Sequence, residues 1–269
     1  MTGVLRGAIG VFDSGVGGLS TLRAIHEAYP HEHLIYVADS GHAPYGDQPA
    51  GAIIERAQRI TQFLLDQPCK AVVVACNTAS VLALPTLRAM TTTPIIGMEP
   101  AIKPAAQATR SGVIGVLATQ RTIGSESVQR LVAHYASHVR VVLQACPGLV
   151  EQVEAGHLDT PETVHLLRAY LSPLCDAGVD QVVLGCTHYY FLRETIARLV
   201  GPSVNVLEPA QAIARQLGAR SHLLSGLREG DAQGGFSFFS SARNLDVAGD
   251  VMARLWGMDL TGQVRPLPV

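Results

Sequence analysis

Two of the cysteines in this sequence end short apolar runs and are followed directly by side chains that form hydrogen bonds. Cys76 ends the run AVVVAC at 71–76, and Cys186 ends QVVLGC at 181–186. The residues that follow them are Asn77, Thr78, Thr187 and His188. A thiolate can take a proton from carbon while a thiol on the opposite face returns one, so two cysteines could invert an α-carbon. A single buried cysteine is more often inert, and the recurrence of the pattern favours chemistry here.

Cys76 lies where a predicted strand meets a predicted helix. Because a helix N-terminus stabilises negative charge, we expect the pKa of Cys76 to be lowered and its thiolate to be favoured. We expect the following N–H groups, with Asn77 and Thr78, to bind carboxylate oxygens. In the second half of the chain, His188 would polarise the thiol of Cys186 or contact the substrate.

Two loops could contribute further groups. The segment DSGVGG at 13–18 connects the first predicted strand to a helix, and its N–H groups could bind an anion; the alternative is a tight turn capped by Asp13 or Ser14. The segment APYG at 43–46, with Tyr45 and Gly46, either places donors near the sheet edge or is a plain surface turn.

The remaining candidates have structural interpretations. Glu154 belongs to a helical pattern in which most carboxylates face solvent. Three more cysteines are predicted to be structural: Cys69, Cys146 and Cys175. No other candidate ligands stand at a spacing from Cys186 and His188 that recurs in zinc sites, so no metal is predicted. The two lysines, Lys70 and Lys103, offer few sites for a pyridoxal phosphate Schiff base, so no cofactor is predicted.

Short, nearly unbroken apolar runs alternate with segments of helical periodicity, which predicts an α/β fold with mainly parallel central sheets flanked by helices. The predicted strands are 8–12, 33–38, 71–76, 112–118, 139–145 and 181–186.

The two halves of the chain resemble each other. IGVF at 9–12 matches IGVL at 114–117, an offset of 105 residues, and the two cysteine runs are offset by 110. We therefore expect two pseudo-symmetric lobes with the active site in the cleft between them, and not a chance similarity of valine-rich strands. Prolines and a glycine interrupt both patterns near 97–104, where we expect the chain to cross from one domain to the other, and we expect it to cross back near 206–210. These crossings predict one domain of residues 1–98 plus 207–269 and another of residues 99–206.

Composition limits the partners. The chain has 269 residues, of which 48% are hydrophobic and 16% charged, with a net charge of −2, so we expect a folded protein with a small-molecule partner and without nucleic-acid binding. No run of eighteen apolar residues is present, and we expect neither a membrane anchor nor a signal peptide. Five cysteines without CxxC spacing predict reduced thiols and a cytoplasmic location.

Four motifs, taken together, closely resemble those of the glutamate racemases in the aspartate/glutamate racemase superfamily. They are DSGVGG at 13–18, APYG at 43–46, ACNTAS at 75–80 and GCTHY at 185–189, in the same order and spacing. The resemblance covers about residues 8–210, and the ending FSFFSSARNLDVAGDVMARLWG is similar to the terminal strand and helix of that family.

The resemblance implies cofactor-independent racemisation of glutamate, with Cys76 and Cys186 exchanging protons. It further implies that Asp13 assists Cys76, that His188 assists Cys186, and that Glu154 also takes part. The implied substrate contacts are Asp13, Ser14, Tyr45, Gly46, Asn77, Thr78, Thr187 and His188. The implied product is D-glutamate for peptidoglycan, and a homodimer is an expectation of the same kind.

This sequence departs from the family beside the motif cores, at Tyr190, Glu151 and the pair Leu207–Glu208. These departures leave the reaction type intact but bear on substrate preference. Two alternatives remain open: a racemase of aspartate or another small acidic amino acid, and a noncatalytic two-lobed binding protein. Related decarboxylases keep one of the two cysteines, so the presence of both counts against that branch.

Overall fold

Two parallel β-sheets form the centre of the structure. The computed structural model describes residues 7–221 and 234–269. The strands are β1 (Ala8–Asp13), β2 (Leu34–Ala38), β3 (Cys69–Val74), β4 (Ile95–Gly97), β5 (Val113–Ala118), β6 (Arg140–Ala145), β7 (Gln181–Leu184), β8 (Asn205–Leu207), β9 (Phe236–Ser240) and β10 (Val264–Pro266). The first sheet has the order β10-β9-β2-β1-β3-β4 and the second β6-β5-β7-β8, with every neighbouring pair parallel.

Helices flank both sheets, as the predicted α/β class requires. They are α1 (Leu19–Ala28), α2 (Ala50–Asp66), α3 (Asn77–Met90), α4 (Ile102–Ala108), α5 (Gln120–Ile123), α6 (Glu126–Tyr135), α7 (Leu149–Glu154), α8 (Pro161–Asp176), α9 (Arg193–Val200), α10 (Ala210–Ser221) and α11 (Leu245–Trp256). The first sheet with α1, α2, α3, α10 and α11 is called the first lobe, and the second sheet with α4 to α9 the second lobe. The predicted fold class is confirmed.

The strands of the first sheet bury both faces, which explains their unbroken apolar sequences. Ile9 and Val11 of β1 pack on the face covered by α1, whereas Ala8 and Phe12 pack on the opposite face with α2. The cluster on the α1 side continues into the second lobe, as far as Leu184. The two lobes therefore share one continuous core.

The internal repeat is visible in the strand pairing. Gly10 of β1 pairs with Val72 of β3, and the repeat-related Gly115 of β5 pairs with Val182 of β7. The order β2-β1-β3-β4 in the first sheet also matches β6-β5-β7-β8 in the second. Each lobe thus brings one cysteine to the carboxyl end of an equivalent strand, where parallel sheets bind ligands.

The predicted domain boundaries at 98/99 and 206/207 stay a prediction. β4 ends at Gly97, and β8, which pairs with β7, ends at Leu207. β9 and β10 add to the edge of the first sheet beside β2. Among the described residues, none of the helices has the length and apolar character that crossing a membrane requires.

Candidate active site

Cys76 lies at the end of β3 and is the N-cap residue of α3. Its sulfur accepts a hydrogen bond from the Ala79 amide at 3.4 Å, and its thiol donates to Ser14 Oγ at 3.6 Å. Ser14 belongs to the loop that follows β1, so neighbouring strands bring the two side chains together. The thiol is 4% exposed.

The predicted lowering of the Cys76 pKa is wrong. Burial, helped by the negative charge of Asp13, raises the pKa of Cys76 to about 12. The hydrogen bonds from Ala79 and with Ser14 act in the opposite direction but are weaker than burial. A charge on Cys186 also raises this pKa, which indicates that the two cysteines lie within electrostatic reach of each other. Cys76 is therefore a thiol at neutral pH.

Cys186 lies at the corresponding position after β7 and contacts a buried histidine. Its sulfur is 3.8 Å from Nδ1 of His188, and the other ring nitrogen, Nε2, lies 2.6 Å from Glu154 Oε1. His188 Nδ1 also lies 4.0 Å from Asp13 Oδ2. The imidazole ring is thus surrounded by one thiol and two carboxyl groups.

These contacts favour the charged form of His188. Burial alone lowers the pKa of His188, but the hydrogen bonds to Cys186 and Glu154 and the negative charges of those residues raise it well above 6.5. For Asp13, burial raises the pKa, and the positive charge of His188 offsets part of the rise. A protonated His188 places a positive charge 3.8 Å from the sulfur of Cys186.

Two amides of the glycine-rich loop donate to carboxylates of the protein itself, and the bond to Asp13 is the turn cap that the sequence offered as the alternative to anion binding. The Gly15 amide donates to Asp13 Oδ2 at 3.1 Å, and the Val16 amide donates to Glu154 Oε1 at 2.7 Å. A Cβ atom at Gly15 would collide with the Glu154 carboxylate. A Cβ at Gly17 would lie 2.7 Å from the backbone nitrogen of His188. Glycine is required here because the loop packs directly on the second lobe.

Glu154 connects the two lobes, although its sequence pattern is typical of a surface residue. Beyond Val16 and His188, it accepts a hydrogen bond from Ser40 Oγ to Oε2 at 2.8 Å. A cavity of about 310 Å³ lies beside it and is lined by Ser40 and Glu151 among others. Sequence reasoning missed Ser40, although its place after β2 at the same sheet edge could have indicated it.

A second connection between the lobes runs through Asp13 and Thr187. The Thr187 hydroxyl donates to Asp13 Oδ1 at 2.9 Å, with both residues buried. This bond therefore joins the first predicted motif to the last, through two residues that are 174 positions apart in the chain.

Thr78 also reaches the second lobe. Its hydroxyl lies 3.0 Å from Thr119 Oγ1 and 3.1 Å from Thr122 Oγ1. Sequence reasoning missed both partners. Thr119 directly follows β5, which corresponds to β1 in the internal repeat, so its position at a strand end was the available signal.

Asn77 has a buried amide whose two polar atoms have no hydrogen-bond partner among the residues that the structure describes. The amide is therefore available to a bound molecule, and the substrate contact of Asn77 stays a prediction.

Tyr45 and Gly46 lie in the loop between β2 and α2, but the tyrosine hydroxyl is already engaged. It donates to Asp39 Oδ2 at 2.6 Å, and Arg56 Nη2 donates to Asp39 Oδ1 at 2.7 Å. Burial raises the pKa of Tyr45, so this hydroxyl stays protonated. A Cβ at Gly46 would lie 2.8 Å from Thr119 Cβ. The structure thus places the backbone of this turn against the second lobe.

The other cysteines differ in their surroundings. Cys69 and Cys146 are buried and Cys175 is exposed. Burial raises the pKa of Cys69 to about 12. Within residues 7–221 and 234–269, no group of three or more His, Cys, Asp or Glu side chains is arranged to hold a metal ion.

Comparisons with known proteins agree with this geometry. The Asp/Glu/hydantoin racemase family matches residues 9–217. The chain is 49% identical over 261 residues to a glutamate racemase from Methylococcus capsulatus, covering 97% of this chain and 95% of the relative. It is 54% identical over 210 residues to a glutamate racemase from Ectopseudomonas mendocina, covering 78% of this chain and 80% of that protein.

Solved structures of glutamate racemases have the same architecture. The Escherichia coli enzyme, crystallised with L-glutamate and the activator UDP-MurNAc-ala, superposes with a TM-score of 0.85 at 31% identity, covering 97% of this chain and 98% of that one. The Francisella tularensis enzyme in complex with D-glutamate superposes with a TM-score of 0.84 at 25% identity, covering 97% of both chains.

Proposed function

This chain belongs to the Asp/Glu/hydantoin racemase family, and from that membership we propose that it interconverts L-glutamate and D-glutamate, with Cys76 and Cys186 as the two bases. It is an isomerase that acts on an amino acid. The choice of glutamate is supported by relatives named glutamate racemase at about half sequence identity and by related structures that hold L-glutamate or D-glutamate.

The observation that carries the proposal is the equivalence of the two cysteines. Each follows a repeat-related strand, β3 or β7, and the two cysteines lie within electrostatic reach of each other. A substrate held between them would present opposite faces of its α-carbon to the two sulfurs. In each direction, one thiolate takes the α-proton and the other thiol delivers a proton, so the configuration inverts and both groups exchange roles.

The two cysteines have different neighbours, and we assign their first roles in turnover from that difference. Cys76 is buried beside the negative charge of Asp13, which favours its thiol. Cys186 contacts the imidazolium of His188, which is in turn held by Glu154. Cys76 therefore acts first as the acid and Cys186 first as the base, and one turnover reverses the two roles.

The remaining roles follow from position. Asp13 and His188 assist the cysteines beside them, and Glu154 fixes the orientation of His188. The substrate contacts are Ser14, Asn77, Thr78 and Thr187, with the turn at Tyr45 and Gly46 closing the site. Enclosing the α-carbon between the lobes excludes water and strengthens the contacts that stabilise developing carbanion charge.

The cellular role belongs to the same proposal. The D-glutamate formed would be used in peptidoglycan, in the cytoplasm, where cysteines such as these stay reduced. A homodimer remains a prediction, which sedimentation velocity of the purified protein would test.

The test follows α-proton exchange in deuterium oxide with each glutamate enantiomer, without added cofactor. We expect the wild-type protein to incorporate deuterium as it racemises and both Cys76→Ser and Cys186→Ser to lose racemisation. Aspartate serves as the comparison substrate. Turnover of aspartate but not glutamate would reassign the substrate, and wild-type rates in both single variants would exclude the two-base assignment.

A further inference from the structure

A small cavity lies between the two lobes, with α1 of the first lobe and Cys186 of the second in its wall. Its volume is about 10 Å³, and its walls include Cys186, Thr187, Glu208 and Tyr190. Two further residues in its wall, Asn77 and Thr21, are buried polar side chains. The sequence patterns did not indicate Thr21, which lies on the buried face of α1.

Asn77 and Thr21 both have unused hydrogen-bonding capacity. The Thr21 hydroxyl and both polar atoms of the Asn77 amide have no partner among the described residues. Thr21 is 0% exposed and Asn77 is 2% exposed, so bulk water does not satisfy them. Because buried polar groups in folded proteins are nearly always hydrogen-bonded, two such groups around one cavity indicate a bound molecule.

The size of the cavity limits what that molecule is. A volume of about 10 Å³ admits a single water molecule, which needs two to four polar partners. Thr21 and Asn77 supply these partners, whereas the cavity has no room for a substrate-sized group. The ligand that fits both the volume and the polarity is therefore one water.

We propose that Thr21 is a positioning residue and that one fixed water links its hydroxyl to the Asn77 amide. The water occupies one end of the amide and holds the side chain in place, which leaves the other end directed to the substrate. This inference rests on the proposed function only in giving Asn77 a substrate contact. The water site itself depends on the cavity and its two polar side chains.

The first experiment replaces the hydroxyl without changing the shape of the side chain. In Thr21→Val the water loses a partner, so Asn77 becomes less ordered and substrate binding weakens. We expect the KM for glutamate to rise about threefold to tenfold, the effect of one neutral hydrogen bond, with kcat changed by less than about twofold. Thr21→Ser keeps the hydroxyl, and we expect it to recover most of this loss.

Thr61 offers a matched control. It is also 0% exposed, and its hydroxyl also has no hydrogen-bond partner among the described residues. It lies in α2, on the opposite face of the first sheet from α1. We expect Thr61→Val to leave the KM at the wild-type value, so a KM effect confined to Thr21→Val separates positioning from a general change in packing.

The second experiment reads the water directly. A crystal structure of the wild-type protein should show one ordered water within hydrogen-bond distance of Thr21 Oγ1 and the Asn77 amide, and the Thr21→Val crystal should show that water lost or displaced. Absence of the water from the wild-type structure, or equal KM values for wild type and Thr21→Val, would overturn the proposal. If the protein does not racemise glutamate at all, the proposed function fails while the water density still decides this inference.

Discussion

Removing the negative charge of Glu154 should lower activity and shift the pKa of His188. In Glu154→Gln, the remaining oxygen can still accept from Val16 and His188, and the new amide can donate to the Ser40 hydroxyl. The variant therefore keeps the hydrogen-bond geometry and removes the negative charge opposite the imidazolium. Its effects report on electrostatics and not on a lost contact.

The expected magnitude follows from that geometry. A hydrogen bond to a charged group contributes about 1.5–3 kcal/mol, against about 0.5–1.5 kcal/mol for a neutral pair, so the change costs about 1–1.5 kcal/mol. We expect kcat/KM to fall about fivefold to twelvefold near pH 7, because every 1.4 kcal/mol is tenfold. The Glu154 side chain is 18% exposed, and partial screening by water favours the lower part of this range.

The sign of the pH dependence is fixed by the raised pKa of His188. A folded-state pKa above the unfolded value contributes stability that is complete below about pH 6.5 and is lost as pH rises through the folded pKa. The stability difference between wild type and Glu154→Gln is therefore largest at acidic pH and shrinks towards alkaline pH. In the variant, the pKa of His188 falls and the alkaline limit of activity moves to lower pH.

The assay combines three measurements on each protein: the pH profile of kcat/KM for racemisation, thermal unfolding across the same pH range, and the ¹⁵N chemical shifts of the His188 ring nitrogens. Glu151→Gln is the matched control, because Glu151 lies in the same helix, is exposed, and undergoes the same change of charge. If the ring nitrogens of His188 titrate at the same pH in wild type and Glu154→Gln, the electrostatic reasoning is refuted.

Three further predictions concern the contacts between the lobes. Ser40→Ala removes the hydroxyl that donates to Glu154, and steady-state kinetics should show a loss in kcat/KM of about threefold to tenfold, whereas an unchanged value would mean that this bond does not hold the site closed. Gly17→Ala places a methyl group within 2.7 Å of second-lobe atoms. Chemical denaturation should show a loss of about 1–3 kcal/mol in unfolding free energy, and most of the activity should be lost. The control Gly51→Ala meets nothing within 4 Å, so its activity should be unchanged and its stability unchanged or slightly higher. Asp13→Asn should be less active yet more stable near pH 7, because burial raises the pKa of Asp13 and the wild-type protein loses stability as pH rises through that pKa. Thermal unfolding at pH 4 and pH 7 should show that the stability advantage of the variant grows with pH. A stability difference that is the same at both pH values would contradict this prediction.

Much of the site was readable because its parts are local in sequence. A strand end, a cysteine and a following polar pair occupy consecutive positions at Cys76 and Cys186, and the repeat of that pattern indicated two equivalent strands before any contact was known. The alternation of apolar runs and helical segments predicted the α/β class for the same reason, since each element depends on neighbouring residues.

The contacts that tune the site join residues that are distant in sequence. Glu154 meets Val16 across 138 positions, and Thr78 meets Thr119 across 41, so no local pattern could separate Glu154 from a solvated helix residue or identify Thr119. Tyr45 stays a predicted substrate contact, but no local pattern indicated that its hydroxyl donates to Asp39.

The sequence by itself determined the fold class, the repeat and the reaction type, and it predicted the two cysteines that we propose as bases. Tertiary structure alone decided the protonation of Cys76 and the hydrogen bonds that surround both cysteines. The N-terminal position of Cys76 on α3 is visible in the sequence and lowers its pKa, but the burial that raises this pKa to about 12 is a property of the closed fold. Charge and burial depend on every group that surrounds an atom in space, and only the folded chain brings those groups together.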